Sequence, residues 1–225
     1  AKTVLASPAR PDVTLREPST DALPAELRAD LVSAFRAVVD ADTPKAKLVA
    51  FDRFRILCAH RRGAAGVSGL NQAAEQALAQ AGLLKPRTEW YAHRPVMVVQ
   101  NDYQVELFNG DVGMILDIDG ELRAAFLSSS GEVRTVTPAR LPAHETVFAM
   151  TVHKSQGSEF AAVALVLPTR VSPVLTRELV YTGITRAKER VVVYAPEDVL
   201  DEAVQRRVVR ASGLRDALWG TDGGG

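Results

Sequence analysis

At 225 residues, with 47% apolar and 24% charged residues, the chain has the make-up of a globular protein with one or two hydrophobic cores. Lys plus Arg and Asp plus Glu balance at 27 each, so overall charge gives no argument for a polyanionic partner, and any such argument must rest on local patches. The lone cysteine, Cys58, excludes an internal disulfide framework and suits a cytoplasmic protein. No run of about 18 apolar residues predicts a membrane span.

Residues 1–18 carry Pro8, Pro11 and Pro18 and little periodicity, and read as a linker or extended lead-in. The start, Ala1-Lys2-Thr3-Val4, has neither an initiator Met nor a signal pattern and reads as a cut inside a longer protein. Leu23, Leu27, Leu31, Ala34, Phe35 and Val38 recur at helical steps and predict an amphipathic helix capped by Ser19 or Thr20. Thr43-Pro44 predicts a second, shorter helix to about Phe51. Phe54–Ala59 is an apolar run suited to a buried parallel strand. It leads through His60-Arg61-Arg62 and a glycine-spaced loop into a helix of Leu70, Ala73, Ala74, Ala77, Leu78 and Ala81 closed by Gly82.

The texture changes over 95–142. Val96–Val99, Val112–Ile118, Leu122–Leu127 and Val133–Thr137 read as short antiparallel strands, with Asn109-Gly110 as the strongest hairpin signal, and predict a small β-barrel. The α/β rhythm then returns: strands over Val147–Val152, Ala162–Leu167 and Val191–Ala195, and helices over Arg177–Ala187, Glu197–Ala211 and Leu214–Trp219. The expected plan is a lead-in (1–18), two α/β parts (19–94 and 143–219) flanking the insertion (95–142), and a disordered tail (220–225).

Two segments carry chemistry. TVHKSQGSEF, Thr151 to Phe160, places eight mostly polar residues between two predicted buried strands, where loops leaving strand ends build ligand sites. Thr, Ser and Gln offer neutral hydrogen bonds, His153 and Lys154 suit phosphate, and Gly157 permits close backbone approach; a solvated turn is the plain alternative. The second segment, LVYTGITRAK from Leu179 to Lys188, has Thr176 as a helix cap and sets Thr182 and Arg186 four apart near the helix end. An arginine there suits a transferring phosphoryl group, or else the helix C-terminal dipole.

These two segments resemble the last two motifs of superfamily 1 helicases. Together with RILCAHRRGAAGVSGLN, LFNGDVG and RLPAHETVF they resemble the RecD family, the alpha subunit of exodeoxyribonuclease V, over about residues 50–215. The resemblance implies a RecA-like, P-loop-NTPase-type parallel sheet flanked by helices: the second motor domain of an ATP-dependent 5′–3′ DNA helicase acting in double-strand-break processing. On the same resemblance, Arg186 and Arg61 reach the phosphates of ATP bound on a first motor domain. Gly157 and Glu159 meet the nucleotide, while Thr151, His153, Lys154, Ser155 and Gln156 couple that site to single-stranded DNA, Gln156 counting also on the nucleotide side. The barrel lies along the DNA path, with Asn101 and Asn109-Gly110-Asp111 its most family-like positions.

No Gly-x-x-x-x-Gly-Lys-Ser/Thr occurs, and no strand ends in an acidic pair for Mg²⁺. ATP and Mg²⁺ are therefore expected mainly on the missing N-terminal motor domain, and the chain alone is expected to be inactive. Expected partners are that domain, single-stranded DNA and the other exodeoxyribonuclease V subunits, with no membrane and no resident metal. A free-standing RecD-like or conjugative relaxase helicase, or a non-catalytic DNA- or partner-binding module, remain the alternatives. Cys58 reads as a core residue, and Trp90, Tyr91 and Tyr103 as base-stacking aromatics or as packing beside the barrel. Arg206, Arg207, Arg210 and Arg215 make the tail basic.

Overall fold

The structure is a computed structural model and describes residues 12–18 and 23–207. Ser19 and Thr20, the helix expected over Leu214–Trp219, Arg210, Arg215 and the glycine tail lie outside those residues.

The elements, in chain order, are strand β1 (Val13–Arg16), helices α1 (Ala25–Asp40) and α2 (Pro44–Phe51), strand β2 (Phe54–Cys58), helix α3 (Val67–Gln80), strands β3 (Pro95–Val98), β4 (Val112–Ile118), β5 (Glu121–Leu127), β6 (Val133–Val136), β7 (His144–Thr146), β8 (Ala149–Thr151) and β9 (Phe160–Val166), helix α4 (Arg177–Ile184), strand β10 (Ala187–Tyr194) and helix α5 (Glu197–Gln205). They form a mixed α/β fold around a parallel sheet of order β1-β10-β9-β2-β8. Continuous apolar runs such as Phe160–Val166 mark strands covered on both faces. Ile56, Cys58, Ala164 and Tyr194 face a core shared with α1, α2 and α3. Leu57, Leu165, Val191 and Val193 face the other, with α4 and α5.

The lead-in is not all linker: Val13–Arg16 joins the sheet edge, paired in parallel from Val13↔Val191 to Arg16↔Tyr194. A four-residue strand is too short to be announced by periodicity, and only the tertiary pairing with β10 decides it. Helix α1 begins at Ala25, later than expected, because Pro24 (φ −51°, ψ 149°) disfavours helical backbone in the residue before it. At α2 the Thr43 hydroxyl accepts the Ala46 N–H at 3.1 Å. Helix α4 stops at Ile184, short of the expected Ala187, because the chain turns to pair Ala187 with Phe160 in β10 and β9.

The second sheet is antiparallel, order β6-β5-β4-β3-β7, with β6 and β7 as its two edges. The expected barrel is thus replaced by an open sheet among the described residues, and it extends past residue 142 to include β7. Closure is not needed to hide apolar surface. Met114, Leu116 and Ala125 pack into the core with α1–α3, and Val96, Ile115, Ala124 and Phe126 form a cluster on the other face. The tight hairpin is at Asp119-Gly120, both at positive φ (55° and 84°) between the paired Ile118 and Glu121. Asn109-Gly110, expected to be that hairpin, instead closes a longer connection, where the Asn101 side-chain oxygen accepts the Asn109 N–H at 2.8 Å.

Edge strand β8 is covered by a side chain. Asn71 of α3 is buried; its amide oxygen accepts from Ala149 N at 3.0 Å, and its NH₂ donates to Ala149 O at 3.1 Å and Val67 O at 2.9 Å. A single amide thus stands in for a neighbouring strand just before the polar loop.

Candidate functional site

The loop after β8 leaves the carboxyl end of one strand and descends to the amino end of the next, since Thr151 lies level with Cys58 while Phe160 precedes the Ala162–Phe54 pair. Its two ends meet different arginines. Near the start, Lys154 Nζ lies 2.8 Å from Glu145 Oε1, and Arg61 Nη2 lies 2.8 Å from Glu145 Oε2. Near the end, Arg186 Nη1 donates to Ser158 O at 3.1 Å, and Phe160 N donates to Arg186 O at 2.8 Å. Arg61 and Arg186 are therefore joined to the two ends of one loop rather than to each other.

Arg186 also donates from Nε to Thr182 O at 3.3 Å and from Nη2 to Thr185 Oγ1 at 3.5 Å. The contact with Thr182 follows from the four-residue helical spacing. Every one of these acceptors is neutral, and among the described residues no carboxylate pairs with Arg186, so its charge is available to an anion. Glycines shape both loops. Gly157 sits at φ +87°, a left-handed turn open to its surroundings. A Cβ on Gly66 would lie 2.3 Å from Arg62 O, so that glycine serves the tight passage from β2 into α3.

Not every expected site residue faces outward. Thr151 and Ser155 are buried: Ser155 Oγ donates to Val152 O at 2.8 Å, and Thr151 Oγ1 accepts the Lys154 N–H at 3.3 Å. Expected as DNA contacts, their hydroxyls are turned inward in this conformation and shape the loop. His153 and Gln156 are exposed and line a cleft of about 790 Å³ with Thr176, Thr182, Arg206 and Arg207. Glu159 is exposed and pairs with Lys188 at 3.2 Å. Asn101, held in its own connection, shares no hydrogen bond or ion pair with the loop among the described residues.

Burial pushes the Cys58 thiol up to about 12, which leaves it an inert core group. Trp90 packs against His144 at 5.2 Å and beneath Arg94 at 5.3 Å, and Tyr91 is buried with its hydroxyl on Glu75, whereas Tyr103 is exposed. Among the described residues no group of three or more His, Cys, Asp or Glu is placed to hold a metal ion, and no helix is long and apolar enough to cross a membrane. Sequence reading missed Glu145. It lies 84 residues from Arg61 and nine from Lys154, and no spacing rule links such positions.

The sequence profile of the UvrD-like helicase C-terminal domain matches residues 146–194, which carry β8, the polar loop, β9, α4 and Arg186. This stretch is thus similar to the class of UvrD-like helicase C-terminal domains. The chain is 45% identical over 174 residues to the RecBCD enzyme subunit RecD of Mycobacterium tuberculosis, covering 77% of this chain and 30% of that protein. It is 44% identical over 176 residues to RecD of Haemophilus influenzae, covering 76% and 26%. With the ATP-dependent RecD2 DNA helicase of Deinococcus radiodurans it shares 39% over 140 residues, 60% of this chain and 19% of that one. The chain belongs to the RecD family and spans under a third of the length of these relatives. Among solved structures, Pif1 helicase from Candida albicans aligns with TM-score 0.43 at 14% identity, over 79% of this chain and 56% of that one.

Proposed function

We propose that the chain is the RecA-like second motor domain of an ATP-dependent 5′–3′ DNA helicase subunit. In this reading it acts in the cytoplasm in double-strand-break processing, with the other subunits of an exodeoxyribonuclease V-type complex. The observation that carries the reading is one loop strung between two cationic positions: Lys154 shares Glu145 with Arg61, and Ser158 holds Arg186.

The residues present fit the anionic end of a nucleotide. Arg186 has only neutral partners among the described residues, and Arg61 is 63% exposed with one N–H on Glu145. ATP with Mg²⁺, held mainly by a first motor domain outside this chain, supplies the phosphoryl group whose transfer drives movement. Here Arg186 and Arg61 present positive charge to the phosphates, and Gly157, Glu159 and Gln156 are assigned to the nucleotide. His153 and Lys154 address the single-stranded DNA backbone, and the buried Thr151 and Ser155 keep the loop rigid enough to pass a shift at Arg186 along to them. Asn101 is assigned to the DNA path on the insertion. A second reading, a free-standing RecD-like helicase, is favoured by the likeness to the Deinococcus radiodurans protein, which is named as an ATP-dependent DNA helicase rather than as a subunit.

The test is steady-state ATPase of the full-length protein with single-stranded DNA, comparing wild type with Arg186→Ala. Loss of a transition-state arginine lowers turnover about a thousandfold, with an unchanged circular dichroism spectrum. Normal turnover in the variant would overturn the motor assignment and leave a DNA- or partner-binding module.

A further inference from the structure

Glu145 belongs to neither the loop after β2 nor the loop after β8, yet it touches both. It sits on β7, opposite Met97 of β3, at the edge of the inserted sheet. Each carboxylate oxygen takes one cation at 2.8 Å, Arg61 on Oε2 and Lys154 on Oε1. The Glu145 side chain is 25% exposed and Lys154 27%, so this half of the trio is partly shielded from solvent, while Arg61 at 63% stands at the opening.

Both cations are already fixed at their backbones. Arg61 O accepts from Ser68 N and Ser68 Oγ, each at 3.1 Å, which ties it to the start of α3. Lys154 N donates to Thr151 O at 3.0 Å. What remains loose in each is a long side chain, and Glu145 restrains both tips. A guanidinium has five N–H donors, and Glu145 takes one of them, so the rest stay available to a phosphate while the carboxylate holds the orientation. Without Glu145, two like charges would be left side by side and would drive each other apart.

We propose that Glu145 is a positioning residue: the inserted sheet uses it to hold Arg61 aimed at the nucleotide phosphates and, through the same carboxylate, to lock Arg61 to the DNA-facing Lys154. This rests on the reading of Arg61 as a phosphate contact. It gives the insertion a part in nucleotide hydrolysis, beyond any contact with DNA.

The test measures kcat and KM for ATP in the full-length protein at saturating single-stranded DNA, for Glu145→Ala, Glu145→Gln, Arg61→Ala and the Arg61→Ala/Glu145→Ala double variant. Glu145→Ala raises KM about fivefold, the upper range for a partly exposed ion pair, with a smaller change in kcat. Glu145→Gln, which keeps the shape and one acceptor, falls between it and wild type. In the Arg61→Ala background the Glu145 change adds nothing to KM, because its effect passes through Arg61. If Arg61→Ala raises KM but Glu145→Ala does not, or if the two effects add, the positioning role is wrong and the nucleotide reading stands. If Arg61→Ala leaves ATP kinetics unchanged, both fall.

Discussion

The parallel and antiparallel sheets bury their strands in different ways. In the parallel sheet β2, β9 and β10 are covered by helices on both faces, so the polar groups left to meet a ligand lie in the connections: Arg61 after β2, the loop after β8, and Arg186 before β10. In the inserted sheet the connections are spent on themselves, with Asn101, Asp102 and Asp111 accepting backbone N–H groups of their own segment. Its ion pairs at Arg123–Glu121 and Arg134–Glu106 likewise stay within the insertion. Its one long-range polar contribution to the site comes from an edge strand, through Glu145. A doubly covered sheet delivers chemistry from its loops, whereas a partly open one delivers it from an edge.

The largest stability effect expected is at Arg55, which ties the two regions together. Its side chain is fully buried at the start of β2, donates to Val147 O at 2.9 Å just after the inserted sheet, and lies 4.1 Å from the Phe51 ring centroid. Asp52 holds it at 3.0 Å, and burial pushes the guanidinium down to about 10, still charged at neutral pH. Arg55→Ala leaves a cavity and an unpaired carbonyl and costs about 3 kcal/mol or more. Denaturant melts should show both sheets losing stability together. If only the inserted sheet were affected, Arg55 would not be the joint between them.

A smaller and more local loss is expected at Gly113 in β4. An added Cβ there would stand 2.5 Å from Ala125 O and 2.6 Å from the Phe126 ring, in the middle of the antiparallel sheet. Gly113→Ala should cost about 2 kcal/mol through overpacking. Amide exchange should speed up in β3, β4 and β5 and stay slow in β9 and β10. Equal loss in both sheets would show that they open as a single unit.

The same contrast governs what could be read from the residues alone. The parallel strands were legible because double coverage writes unbroken apolar runs, as in Phe160–Val166, and the α2 cap was legible because Thr43-Pro44 is a local signal. The polar loop stood out because nothing in a core requires it. What was lost depends on contacts distant in sequence. β1 exists only through pairing with Val191–Tyr194, and the inserted sheet stays open because helices already cover one of its faces. The inward turn of Thr151 and Ser155 follows from the loop's own hydrogen bonds, which residue type does not reveal. Glu145 was hidden because both its partners arrive from other elements.

The smallest expected effect concerns the seam between the regions, where His93 sits at φ 68° and donates its N–H to Ile115 O at 2.6 Å. Burial, and secondarily the charge of Lys47 on α2, lowers its pKa below the ordinary 6.5. The fold thus favours the neutral ring. Below pH about 6.5 the unfolded chain takes up a proton that the folded one refuses, so this group costs stability as pH falls and contributes nothing above. His93→Asn keeps a residue tolerant of positive φ but cannot titrate. Melting temperatures of the two proteins should run parallel above neutrality, with the wild type falling more steeply between pH 7 and 5. Equal slopes would mean that His93 is solvated when protonated, and that the seam between helices and inserted sheet is looser than its packing indicates.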